Sequence, residues 1–301
     1  SSIASGAQAQ ASQPAVMLLN ARAPVAPALQ LYLERGLQLA EDQKAAAVVI
    51  ALNTPGGSLD SMNLIVERIR ASSVPVIVYV SPRGAWAASA GTIITLAGHV
   101  AAMAPQTTIG AASPVSGEGE DIGETMEQKV KEVMKATVRN LAQDRSPQAI
   151  SLAEETIDIA RAVTAEEALK AGLVDLMADD VPDLLGKLEG RKVKVLGSAV
   201  VLRTPGARVD EVADTFLQAA LQLLTNPNLV FMFLSLGVMA ILTELSSPGG
   251  WVAGFVGVVL MLLSFFGMGV LPVNWFGLLF LALAFLLFIL DIKAPTHGAL
   301  T

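Results

Sequence analysis

Apolar positions in the first two-thirds of the chain switch repeatedly between two spacings. Residues 15–19 form a short apolar run that predicts a first strand. Residues 27–43 then place Leu29, Tyr32, Leu33, Leu37 and Ala40 on one helical face, with Pro27 suited to the first turn. Residues 45–53 (A-A-A-V-V-I-A-L-N) are an apolar strand signal. Residues 59–71 return to helical spacing through Leu59, Met62, Leu64, Ile65, Val66 and Ile69, with Glu67, Arg68 and Arg70 outside. Residues 76–82 (V-I-V-Y-V-S-P) read as a buried strand, residues 90–98 as a tight helix of small residues, and residues 99–104 as another strand. Strand and helix alternating in this way predict a parallel sheet with right-handed crossovers.

The pattern then loosens. Residues 113–125 (S-P-V-S-G-E-G-E-D-I-G-E-T) are rich in Gly, Ser and acid and predict a surface loop, either a flap or a plain connector. Residues 126–144 restore a helix, with Met126, Val130, Val133, Met134, Thr137, Val138 and Leu141 on one face. Thr164-Ala165-Glu166-Glu167 is a capping box opening a helix that ends near Gly172. Residues 191–201 alternate as a hairpin would. Residues 209–224 carry Val212, Phe216, Ala220 and Leu223 in helical register, with Asp210, Glu211 and Asp214 near the start, and predict an amphipathic helix along a membrane interface.

Composition divides the chain. Its 53% hydrophobic content and mean hydropathy of +0.57 are too apolar for one ordinary soluble domain. The excess is concentrated: no Lys or Arg occurs between Arg208 and Lys293. Three apolar spans are expected at 229–245, 251–268 and 273–290, each near the minimum for crossing a bilayer. Trp251 and Trp275 stand at the starts of the second and third spans, as interface aromatics do, and Gly249, Gly250, Gly254, Gly257, Gly267 and Gly269 permit close helix packing. The domain reading is therefore a small polar segment, 1–14, expected to be disordered; a soluble domain, 15–208; an interfacial helix, 209–226; and a transmembrane domain, 227–301, that reads as an interrupted chain. Loop charge is too sparse to set the orientation.

A net charge of −7 argues against nucleic-acid binding, which needs a basic face. The chain has no cysteine, so disulfides and thiolate chemistry are excluded. Its two histidines, His99 and His297, make a histidine-based triad an improbable design. Candidate chemistry sits instead in W-A-A-S-A-G-T, residues 86–92. A serine at a strand-to-helix junction has a nucleophile's placement, with the next backbone N–H, that of Ala90, at a helix N-terminus. The bland alternative is that Ser89 only caps the helix. Upstream, the strand at 45–53 ends in T-P-G-G-S. Pro55 fixes φ, while Gly56 and Gly57 allow N–H groups to point outward, so Gly57 can supply one arm of an oxyanion hole and Ala90 the other.

N-T-P-G-G-S together with G-A-W-A-A-S-A-G-T resembles the membrane-bound serine proteases of the NfeD family, whose catalytic domain belongs with Clp protease subunits and signal peptide peptidases. M-A-P-Q-T-T-I-G (103–110) and T-A-E-E-A-L-K-A-G-L-V-D (164–175) extend the resemblance. It implies an α/β fold, a Clp protease/crotonase-like superhelical βα domain, followed by transmembrane helices. It also implies a Ser-Lys dyad. In the helix at 126–144, periodicity turns Lys135 outward to solvent but leaves Lys129 and Lys131 flanking the apolar face on opposite sides. The family's base lies about three turns ahead of L-A-Q (141–143), which selects Lys129. A lysine desolvated beside a serine loses basicity and can accept its proton. Substrate contacts are expected at Pro55, Gly56, Ile109 and Gly110, with no metal and no cofactor. The resemblance further implies apolar peptide segments as substrates, stomatin/prohibitin-type membrane proteins as partners, self-association to at least a dimer, and a multi-pass protein with an extracytoplasmic protease domain. Two other readings share these residues. One is a silent scaffold for stomatin-like oligomers. The other is an acyl-CoA hydratase relative, which would need carboxylates near the P-G-G loop.

Overall fold

Every residue of Ala47–Leu52 is buried, as a strand covered on both faces must be. In the computed structural model this strand, β2, lies near the middle of a six-stranded parallel sheet. The structure describes residues 15–114, 123–204, 206–213, 226–246 and 251–270, with residues 224, 280 and 283 singly. The chain forms two compact units, one built on the described residues up to 213 and one on those from 224 onward.

In the first unit, β1 (Ala15–Ala21), α1 (Pro27–Asp42), β2, α2 (Leu59–Arg70) and β3 (Val76–Val80) follow the expected alternation. After β3 come β4 (Trp86–Ala88), α3 (Ala90–Ala97), β5 (Val100–Met103), β6 (Thr108–Gly110), α4 (Glu124–Leu141), α5 (Pro147–Asp158), β7 (Ala162–Thr164), α6 (Ala165–Ala171), β8 (Leu176–Met177) and α7 (Val181–Leu188). A hairpin of β9 (Lys192–Val195) and β10 (Ser198–Val201) and a last strand, β11 (Arg208–Glu211), complete the unit. The main sheet runs β11-β1-β2-β3-β5-β8, and β4, β6 and β7 form a separate small sheet.

The strand period of two sorts the core onto the two faces of the main sheet. Val48, Ile50, Leu52, Val76, Val78 and Val80 meet α1, α2 and α3 through Leu29, Leu33, Ile65, Ile69, Ile93 and Ile94. Ala47, Val49, Ile77 and Tyr79 meet α7 and β9 through Leu184, Leu188, Val193 and Val195. Each Val, Leu or Ile among them contributes about 1.5–3 kcal/mol by leaving water.

Three features depart from the expectations. Residues 209–211 are not the start of a helix: β11 pairs parallel with β1, Val209 opposite Val16, and the Val212 N–H donates to Leu18 O at 3.0 Å. Pairing with a strand remote in sequence outweighs the local helical register, and the sheet continues beyond the expected boundary at 208. The remainder of that segment, 214–223, lies outside the described residues, as do 1–14 and most of the acidic loop. Helix α5 was not foreseen, although Ser146 caps it by accepting the Ala149 N–H at 3.1 Å. The third departure, the small β4-β6-β7 sheet, shapes the site described below. The capping box at Thr164 and Glu167 is present, and Gly172 ends α6 in the left-handed conformation.

The second unit is a hairpin of α8 (Pro227–Ser246) and α9 (Val252–Val270), within two residues of the first two expected spans. Among the described residues, α8 is the helix long and apolar enough to cross a membrane. The helices touch through glycine. A Cβ on Gly237 would lie 2.9 Å from Gly257 O, and one on Gly257 would lie 2.8 Å from Gly237 O. The Glu244 carboxylate accepts the Trp251 N–H at 3.0 Å, and the Ser264 hydroxyl donates to Val230 O at 2.7 Å. The expected third span, 273–290, falls outside the described residues apart from 280 and 283.

Candidate active site

Ser89 stands between β4 and α3 with φ 53° and ψ −121°, a conformation that a side chain adopts only under constraint. It is not a cap: its hydroxyl makes no bond to the helix and has no partner among the described residues. The constraint comes from the small sheet. The Ser89 N–H donates to Gly110 O at 2.9 Å, and the Thr92 N–H donates to Ser89 O at 2.9 Å. Thr92, wholly buried, accepts the Gly110 N–H at 3.0 Å. Its own hydroxyl lies 2.9 Å from Ala87 O and 3.0 Å from Gly110 O. One threonine hydroxyl thus ties β4, β6 and the first turn of α3 around the serine.

The P-G-G loop is stitched to β4 on one side and to the chain before α1 on the other. The Thr54 N–H donates to Trp86 O at 2.7 Å, and the Ala88 N–H donates to Thr54 O at 3.1 Å. The Val25 N–H donates to Gly56 O and the Ser58 N–H to Val25 O, both at 2.8 Å. In that parallel bridge the N–H of the intervening Gly57 must point away from Val25. It has no acceptor among the described residues, and neither has the Ala90 N–H. Both glycines are required. Gly56 (φ 109°) has no room for a Cβ because Ser89 Cβ would lie 2.5 Å away, and at Gly57 (φ 151°) Val25 O would lie 2.2 Å away.

The three lysines of α4 separate clearly. Lys131 Nζ pairs with Glu127 at 2.7 Å and donates to Asp158 O at 3.2 Å. Lys135 is not turned out to free solvent as its spacing predicts. It pairs with Glu132 at 2.8 Å and with Asp158 of α5 at 3.4 Å, and these carboxylates raise its pKa. Lys129 is exposed and has no partner among the described residues, so it is not held desolvated against the serine as the dyad reading expects. It lines an apolar groove of about 210 Å³ between α2, α3 and α4, together with Leu59, Met62, Ile93, Val130 and Met134. Ile93 is one turn along α3 from Ser89.

The expected substrate contacts divide. Pro55 is exposed beside the serine, and Gly56 is buried against it. Ile109 is wholly buried in β6, which is paired on both sides, and both backbone groups of Gly110 are committed to Ser89 and Thr92. In this structure Ile109 is buried in the small sheet, and Gly110 holds the serine in place. His99 closes the far end of α3, about 12 Å along an eight-residue helix from Ser89. Its Nδ1 accepts the Val76 N–H at 3.0 Å, and burial and the Arg70 charge hold its pKa down to about 4. It cannot reach Ser89. His297 lies outside the described residues. No group of three or more metal-binding side chains occurs among the described residues. Sequence reasoning missed Thr92 and Thr54, whose role depends on which strands meet; the threonine three residues after the serine was the available signal.

Residues 15–198 match the NfeD1b N-terminal domain, and residues 228–301 match the NfeD integral membrane domain. The chain belongs to the NfeD family. Among NfeD relatives it is 39% identical over 272 residues to the membrane-bound protease PH1510 of Pyrococcus horikoshii, covering 89% of this chain and 61% of that protein. The chain thus spans about three-fifths of that relative's length. Two solved structures of 1510-N, described as a membrane-bound stomatin-specific protease, share the fold of the soluble NfeD unit. One is a lysine-to-alanine variant in complex with a substrate peptide, with 35% identity and a TM-score of 0.64, covering 70% of this chain and 97% of that one. The other is a serine-to-alanine variant, with 36% identity and a TM-score of 0.62, covering 68% and 100%.

Proposed function

We propose that this chain is a membrane-anchored serine endopeptidase. The Ser89 oxygen adds to the carbonyl carbon of the scissile peptide, and its proton passes to the amine of Lys129. The negative oxygen is held by the Gly57 and Ala90 N–H groups. Collapse of the tetrahedral adduct breaks the C–N bond, and the leaving amine takes the proton from Lys129. Water then adds to the acyl carbon, giving its proton to the same amine, and as the bond from that carbon to the Ser89 oxygen breaks the amine returns the proton to the serine.

The observation that carries this reading is the state of Ser89: a free hydroxyl in a strained turn, pressed against a glycine loop with a free outward N–H. A cap would spend the hydroxyl, and a plain βα turn would not need the strain. The dyad rests on the register of Lys129 in α4, and the apolar groove that it lines suits apolar peptide segments. The solved relative's specificity for a stomatin homologue suggests a substrate or partner of the stomatin family. A multi-pass anchor, an extracytoplasmic site and self-association complete the proposal.

The test is cleavage of a random peptide library by the full chain in detergent, wild type beside Ser89→Ala. Loss of at least about a thousandfold, with the fold intact by circular dichroism, is expected. Equal cleavage by the variant would remove Ser89 as nucleophile. No cleavage by either protein would favour the silent scaffold.

A further inference from the structure

At the far end of α3 from Ser89 lies a basin of about 320 Å³ that proteolysis does not use. Its lining brings together Arg70 from the end of α2, Arg145 from the turn before α5, Arg191 from just ahead of β9, and Lys192 and Lys194 from β9 itself. Five cations face two carboxylates, Asp144 and Asp175, on a chain whose net charge is −7. Such a concentration is not the background of an acidic protein.

One carboxylate is already spent. Asp175 takes both guanidinium nitrogens of Arg145, at 3.2 and 3.0 Å, accepts the Ala101 N–H at 2.7 Å and stands 3.6 Å from Arg191. Arg145 and Asp175 therefore form a structural floor. Arg70, Lys192 and Lys194 are exposed and have no ion partner among the described residues. The pleat of β9 forces the two lysines to one side, because Val193 and Val195 between and after them are buried in the core. His99, also in the lining, is kept from taking up charge by burial and by Arg70, so it adds no repulsion near neutral pH.

Like charges gathered in a concavity repel one another and focus a positive potential, which a multiply charged anion relieves. The lining holds no aromatic ring other than the imidazole, so a nucleobase has little to stack on. We infer that this basin binds a compact phosphate-bearing anion of more than one charge. The inference is independent of the chemistry at Ser89.

The test is calorimetric titration of magnesium-free pyrophosphate into the full chain in phosphatidylcholine nanodiscs. Saturable one-site binding is expected. Lys192→Gln/Lys194→Gln and Arg70→Gln should each weaken it about tenfold or more, as loss of a charge-assisted contact does. Lys44→Gln, an exposed charge at the end of α1, should leave it unchanged. Repeating the titration in phosphatidylglycerol discs separates two sources of the phosphate. Competition there would assign the basin to lipid headgroups, and unchanged affinity would assign it to a soluble anion. Absence of saturable binding in the phosphatidylcholine discs, or equal affinity in the folded variants and wild type, would overturn the inference.

Discussion

Gly56 touches Ser89 so closely that a Cβ on the glycine would lie 2.5 Å from the serine Cβ and 3.0 Å from its Oγ. Gly56→Ala should therefore displace Ser89, the proposed nucleophile. The added methyl meets a short side chain and the Ala88 carbonyl at 3.2 Å, at a φ of 109° that alanine rarely adopts. Turnover should fall about a hundredfold or more, because an ångström of misplacement is enough for that. Peptide cleavage kinetics would show it as a loss in kcat; a rise in KM alone would place the loop in substrate binding only.

Ser89→Gly should trade activity for stability. Glycine relieves a strain of about 1–3 kcal/mol, against an entropic cost of about 0.5–1 kcal/mol. A higher thermal midpoint for the soluble unit than in Ser89→Ala is expected, with cleavage absent from both. Equal midpoints would mean that the turn stores no strain.

Thr92→Val keeps the shape and removes the hydroxyl that holds the Gly110 N–H. The buried N–H is then orphaned, at a cost of about 1–3 kcal/mol. Both stability and kcat should fall, and Thr92→Ser should restore both. A variant with normal kcat would show that Ser89 keeps its geometry without this hydroxyl.

The lysines give a three-way comparison. Lys129→Ala should abolish cleavage nearly as fully as loss of the serine, since members of a dyad act as a unit. Lys131→Ala and Lys135→Ala, which break ion pairs to Glu127 and to Glu132 and Asp158, should keep most activity. Lys129→Arg should not rescue, because a guanidinium cannot give up its proton. Retained cleavage in Lys129→Ala would remove the dyad.

His99 makes stability depend on pH. Its folded pKa, about 4, lies below the unfolded value of about 6.5. Above pH 6.5 the ring is neutral in both states and its contribution is complete. As pH falls, the unfolded chain binds the proton first, so stability drains between about 6.5 and 4 and levels off below. The loss should be on the order of 2 kcal/mol once partial solvent exposure is allowed for. His99→Asn, which keeps an acceptor for the Val76 N–H, should flatten that part of the unfolding profile. Parallel profiles for wild type and variant would disprove it.

The alternation of α1, β2, α2 and β3 was readable because each runs long enough to show its period, and its apolar face is the face that packs. Strands β4, β6 and β7, three residues each, are too short for any period to register. They nevertheless place Ser89, so the serine was visible in the sequence and its support was not. Ile109 and Gly110 fell in a matching motif, but only the pairing of β6 on both sides shows that they face inward. Strand β11 (R-V-D-E) looks like a solvated helix start, because its pairing partner lies far back at the beginning of the chain. Lys135 was misplaced for a similar reason: its partner, Asp158, sits on a helix the pattern did not reveal.

Strand β11 also decides where the soluble unit can be cut free of its anchor. A fragment ended at 198, where the match to the N-terminal family domain stops, would lose the whole strand. It would also lose Val212 and Ala213, whose carbonyls take the Tyr32 hydroxyl and the Arg35 guanidinium. The outward edge of β1 over residues 15–18 would then lie bare while its other edge stays paired with β2, leaving a template for intermolecular pairing and precipitation. A fragment carried through 213 keeps that row covered and should remain dispersed.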